Sequence, residues 1–115
     1  MSGFDFPAYK AAFQARDVDR WLEFYADDAD WFEFRADHPP RAPHHMHGRE
    51  QIGAFLRQLA DAPMEMALTN EVLAAERSAF TLTVTFGEGG RILGNVIIEH
   101  CDGRIVRQTD VEARD

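Results

Sequence analysis

Apolar positions along the chain change their period, and the change separates a helical part from a sheet part. Phe6, Tyr9 and Phe13 recur at i, i+3 and i+7, the stripe of one helix face. Asp5 can accept a first-turn N–H, and Pro7 sits in the opening turn, where a missing N–H costs nothing. Asp17 ends that run and can cap a second helix, with Val18, Trp21, Leu22 and Tyr25 at i, i+3, i+4 and i+7. A third helix opens at Gly48, carries Ile52, Phe55, Leu56 and Leu59, and closes at Asp61-Ala62-Pro63. The later pattern has a period of two: Phe80, Leu82, Val84 and Phe86 alternate with Thr81, Thr83 and Thr85. Gly87-Glu88-Gly89-Gly90 turns this strand into a second over Arg91 to His100. Asp102-Gly103 then turns it into a third over Ile105 to Glu112. Shorter strands are expected over Trp31 to Arg35 and within Met64 to Ala75. Residues 36 to 47, with three prolines and four histidines, read as one long loop.

Helices before a meander of strands is an α+β order. The expected fold is a curved antiparallel sheet with three helices from the N-terminal half on its concave side. A cone-shaped cavity would lie between them, a natural place for a ligand. A length of 115 residues fits one domain, residues 1–115. Twelve basic against twenty acidic residues leave a net charge of −8, which repels phosphate backbones and anionic lipid. Neither nucleic acid nor a membrane is therefore expected as a partner. With no apolar run of membrane-spanning length and no signal-like start, a cytoplasmic protein is expected. The single cysteine, Cys101, lacks a partner for a disulfide and a cation pattern that would make it a nucleophile.

Three polar residues in apolar strands are candidates for chemistry. Glu33 alternates with Phe32 and Phe34; turned toward the helices, it would be a carboxylate in a dry cavity with its pKa raised toward the range of a base. Asn95 lies in the apolar stretch Ile92 to Ile98, where a buried amide must find a partner. Asp110 shares a strand face with Gln108 and Glu112 and is the rival acid/base centre. His38, His44, His45 and His47 are clustered by the proline-broken loop rather than by ligand geometry, and adjacent His44 and His45 would point apart. No metal and no cofactor are expected. His100 reads as an ordinary strand-end residue.

Tyr25-Ala26-Asp27-Asp28-Ala29 and the segment His47-Gly48-Arg49-Glu50 through Gln58 resemble the Δ5-3-ketosteroid isomerases. Those enzymes belong with the SnoaL-like and nuclear-transport-factor-like cone domains. The resemblance implies that Tyr9 stabilises an enolate oxygen, that Glu33 is the base where the family carries Asp, and that Tyr25 supports Tyr9. It also implies that Asn95 takes the place of the family's protonated acid and that Leu56 stands where a third Tyr is often found. Trp21, Tyr25, Phe55 and Leu56 would line the ligand site. The implied function is a proton shift α to a carbonyl on an apolar, steroid- or polyketide-like small molecule. The alternatives are a SnoaL-like cyclase, dehydratase or hydrolase centred on Asp110, or a non-catalytic ligand-binding domain. A homodimer is expected by analogy, through a sheet face that includes Thr81, Thr83 and Thr85.

Overall fold

A computed structural model describes residues 3–115. In chain order these form α1 (Phe6–Ala15), α2 (Val18–Leu22), β1 (Tyr25–Phe34), β2 (His44–His47), α3 (Gly48–Asp61), β3 (Met64–Leu73), β4 (Arg77–Phe86), β5 (Arg91–Cys101) and β6 (Arg104–Arg114). Asp5 caps α1 by accepting the Ala8 N–H at 3.1 Å, and Asp17 caps α2 by accepting from Arg20 at 3.3 Å. The six strands form one sheet in the order β2-β1-β6-β5-β4-β3. Every neighbouring pair is antiparallel except β1 and β6, which run parallel. The purely antiparallel expectation is corrected at that pair, because the chain returns from the far edge to close against its first strand.

Two elements differ from the periodicity. The second helix stops at Leu22, and Tyr25 opens β1 instead of ending the helical stripe. Tertiary hydrogen bonds win there: Arg49 donates to the Leu22 carbonyl at 3.2 Å, and the Phe24 carbonyl accepts from the Ile105 N–H at 2.7 Å. The proline-broken loop also ends in β2, whose four residues pair with β1. Proline is confined to the part of the loop before β2, so nothing in β2 itself blocks the ladder.

Arg16, in the left-handed conformation after α1, donates to the carbonyls of Ala60 (3.1 Å) and Ala62 (2.8 Å) at the end of α3 and of Met64 at the start of β3. The acceptors include carbonyls that a helix end leaves without intrahelical partners. The helices thereby close over one face of the sheet, and a core of Phe6, Tyr9, Phe13, Trp21, Ile52 and Leu56 fills the space between. Among the described residues no helix is long and apolar enough to cross a membrane.

Candidate active site

Alternation along β1 sends Trp31 and Glu33 to the concave face, and alternation along β6 sends Gln108, Asp110 and Glu112 there. The parallel register sets Trp31 beside Gln108 and Glu33 beside Asp110. On the other side of β1, Glu33 pairs in register with His44 of β2. His44, Glu33 and Asp110 therefore form one row across three strands. Glu33 and Asp110 floor an apolar cavity of about 200 Å³ whose walls include Tyr9, Trp21, Phe55, Leu68 and Phe80.

Glu33 is 3% exposed and Asp110 1% exposed. Burial pushes the Asp110 carboxyl well above its ordinary range, and repulsion from Glu33 pushes it further. Glu33 is also raised by burial, but the Arg35 guanidinium, 3.0 Å from its Oε1, pulls it back. Of the two, Asp110 therefore holds a proton the more strongly, because the Arg35 cation faces Glu33. His44 Nδ1 stands 3.5 Å from the same Glu33 oxygen, and burial followed by the Arg35 charge lowers its pKa, favouring the neutral ring. At the mouth, burial and then repulsion from Glu33 raise Glu112 to about 7. Gly94 makes room for it: a Cβ at Gly94 would lie 3.3 Å from Glu112 Cγ.

A relay orients the acid from behind. The Tyr25 hydroxyl donates to Gln108 Oε1 at 2.5 Å, and Gln108 Nε2 donates to Asp110 Oδ1 at 3.1 Å. Burial raises Tyr9 to about 12, so its phenol stays a neutral donor. The buried indole N–H of Trp31 faces Asp110 and that of Trp21 faces Tyr9 and Tyr25, each near enough to lower its neighbour's pKa without closing a full hydrogen bond. An uncharged oxygen on a ligand could take up such donors.

Tyr9, Glu33, Asp110, Trp21 and Phe55 all line the cavity. Tyr25 is fully buried behind it, donating to Gln108 and stacking on Trp31, and its hydroxyl lies close enough to that of Tyr9 for the two to influence each other's pKa. Leu56 is fully buried in the core and does not line the cavity. Asn95 is a correction. It is exposed on the convex face, between Thr81 and Val111, because strand parity gives the inward positions to Gly94 and Val96. The question of whether Glu33 or Asp110 faces inward resolves as both. The places of Arg35 and His44 beside Glu33 escaped the sequence reading, which weighed His44 only as a metal ligand, although Arg35 ends the expected strand with the parity of Glu33.

His100 is also buried, but it lies against Phe4 and 3.2 Å from Ser78 Oγ, away from the cavity lining. The oxygens of Glu33, Asp110 and Glu112 approach within 4.8 Å of one another, a spacing a metal could bridge. Arg35 already supplies a cation there, and the carboxyls are held apart in protonation, an arrangement suited to proton transfer. His44 and His45 do point apart. His45 and His47 meet Asp30 on the convex face, so the loop histidines that the sequence shows without a ligand pattern gain a carboxylate from the neighbouring strand.

The helix-covered, curved six-stranded sheet has the fold of solved NTF2-like proteins. The chain belongs to the SnoaL-like domain family, whose profile matches residues 7–108. An NTF2-like protein of unknown function from Mesorhizobium loti superposes with a TM-score of 0.81 at 18% identity, covering 94% of this chain and 87% of that one. A candidate ketosteroid isomerase from Kribbella flavida gives 0.77 at 19% identity, covering 94% and 74%. A Mycobacterium tuberculosis protein in complex with estradiol-17β-hemisuccinate gives 0.69 at 19%, covering 91% and 88%. No curated protein matches the sequence.

Proposed function

We propose that this protein is an isomerase that binds a small apolar carbonyl compound and moves a proton from the carbon α to the carbonyl. The observation that carries the reading is the pair of buried carboxyls, Glu33 beside Asp110 with Arg35 against Glu33, on the floor of an apolar cavity. Glu33 takes the α-proton, and the electron pair of that C–H bond passes into a dienolate. The Asp110 O–H and the Tyr9 O–H donate to the developing oxyanion, so Asp110 fills the role expected of Asn95. Glu33 then returns its proton to the γ-carbon, which restores the base and leaves a conjugated enone.

Uptake of estradiol-17β-hemisuccinate by a protein of this fold supports an apolar ligand. The cavity here, about 200 Å³, is smaller than the roughly 300–1,000 Å³ of pockets for drug-sized ligands. It suits a one-ring β,γ-unsaturated ketone better than a four-ring steroid. The test follows enone absorbance across ketones of one to four rings. Glu33→Gln should lose turnover by about 100-fold or more while still binding a phenolic enolate mimic, and Tyr9→Phe should weaken both. Absence of turnover and of mimic binding in the wild type would remove the isomerase reading. Full activity in Glu33→Gln with none in Asp110→Asn would transfer it to an Asp110-centred cyclase, dehydratase or hydrolase.

The reading extends to assembly. Leu93, Ile97 and Val111 are exposed on the convex face beside Thr81 and Thr83, and a second copy covering this face would form a two-fold homodimer. Light scattering should give twice the chain mass, and Ile97→Asp should halve it. A wild-type monomer at micromolar concentration would end the dimer proposal.

A further inference from the structure

On the convex face of the same strands lies a second constellation that the cavity chemistry does not use. Alternation along β2 puts His45 and His47 on one side, and the antiparallel register sets His47 opposite Asp30 of β1. Asp30 Oδ1 lies 2.7 Å from His45 Nε2 and 2.8 Å from His47 Nδ1, and all three atoms fall within 4.8 Å of one another. Two imidazole nitrogens and a carboxylate oxygen converge from two strands.

We propose that Asp30, His45 and His47 form a binding site for a divalent transition-metal ion, zinc being the natural occupant. Two histidines and one carboxylate are a donor set that zinc accepts, with water completing four-coordination. Tetrahedral zinc with bonds of about 2.0–2.1 Å has ligand–ligand edges of roughly 3.3 Å, so the two short contacts need to open by only about 0.5 Å. The three side chains are 34%, 44% and 59% exposed, which leaves the outer side open for water and for entry of the ion.

The ligands are held in place by neighbours that do not compete for the metal. The His45 ring stacks on Phe32, 4.3 Å between centroids and 9° from parallel. His47 is fixed at the turn into α3, where its N–H donates to Gln51 Oε1 at 2.7 Å and Gly48 takes a φ of +82°. A side chain at Gly48 would strain that turn. The cation on the adjacent strand, Arg107, is engaged elsewhere, over the Phe32 ring at 4.6 Å and 3.8 Å from Glu99. The net charge of −8 favours a cation anywhere on this chain.

Such a site has a structural consequence. β2 is an edge strand of four residues, and a metal shared between it and β1 would clamp it to the sheet together with the head of α3. His44, on the same short strand, would be held beside Glu33 on the opposite face.

The test uses tag-free, chelator-stripped protein titrated with zinc by calorimetry, with thermal melts in parallel. Saturable binding of one zinc per chain is expected, with a rise in Tm. Asp30→Asn, His45→Ala and His47→Ala should each weaken binding by roughly 10–100-fold or more, while His38→Ala leaves it unchanged. Zinc should not raise the Tm of His47→Ala. Circular dichroism of the metal-free variants checks that each is folded. Absence of saturable binding, or binding that survives both His45→Ala and His47→Ala, overturns the proposal.

Discussion

The two faces of β1 carry the same kinds of groups and treat them in opposite ways. On the concave side the row His44–Glu33–Asp110 is closed under helices, and on the convex side Asp30 meets His45 and His47 in the open. Burial raises Glu33 and Asp110, whereas hydrogen bonds from His45 and His47 lower Asp30. Carboxylate beside imidazole is common to both. Desolvation separates them, because it acts against the charged form, while an exposed carboxylate feels mainly its donors. One face is suited to moving protons and the other to holding a cation.

The sharpest way to break this contrast is to neutralise its most buried member. Asp110→Asn keeps the shape but replaces the acid's O–H with a weaker amide N–H donor, so turnover should fall by about 10-fold or more. The same change should raise stability at pH 8 in urea unfolding, since an amide needs neither a buried charge nor proton uptake on folding. Unchanged turnover would separate Asp110 from the chemistry.

The next effect is the pH dependence of stability. Asp110 and Glu112 have raised pKa values in the fold, so their protonated forms favour the native state below the ordinary carboxylate range. For Glu112 that contribution is complete below 4.5 and is lost as pH rises through about 7. The melting temperature of the wild type should fall between pH 5 and 8. Glu112→Gln should remove roughly 1–2 kcal/mol of that loss, allowing for partial solvent screening. Identical slopes for the two proteins would contradict the buried environment assigned to Glu112.

Asp30 should show the opposite sign and the smallest effect. Its pKa is lowered, so its contribution is present above the ordinary value of 3.8 and disappears as pH falls below it. Metal-free Asp30→Asn should cost under about 1 kcal/mol at pH 6, as expected for exposed pairs, and should flatten the acid limb of the melting profile. A loss of several kcal/mol would mean that the convex cluster is a folding element in its own right.

The elements and the fold class were legible because helix stripes and strand alternation are local properties of the chain. Tyr9, Phe13, Trp21, Ile52 and Leu56 enter the core as their periods require. The shared face of Gln108, Asp110 and Glu112 was also legible, since it needs only the two-residue repeat of a strand. What that repeat leaves open is which set faces inward. Tertiary packing chose Glu33 and Asp110 for the cavity, sent Asn95 outside, and ended the second helix at Leu22 through bonds from Arg49 and Ile105. The convex cluster was hidden for a related reason: His45 and His47 are two apart in sequence, but their carboxylate is Asp30 on another strand. Periodicity along one chain segment specifies a face, whereas burial, pKa and convergence of ligands depend on the register between strands and on what covers them. Those were decided only when the sheet closed β6 against β1 and the helices folded over one side.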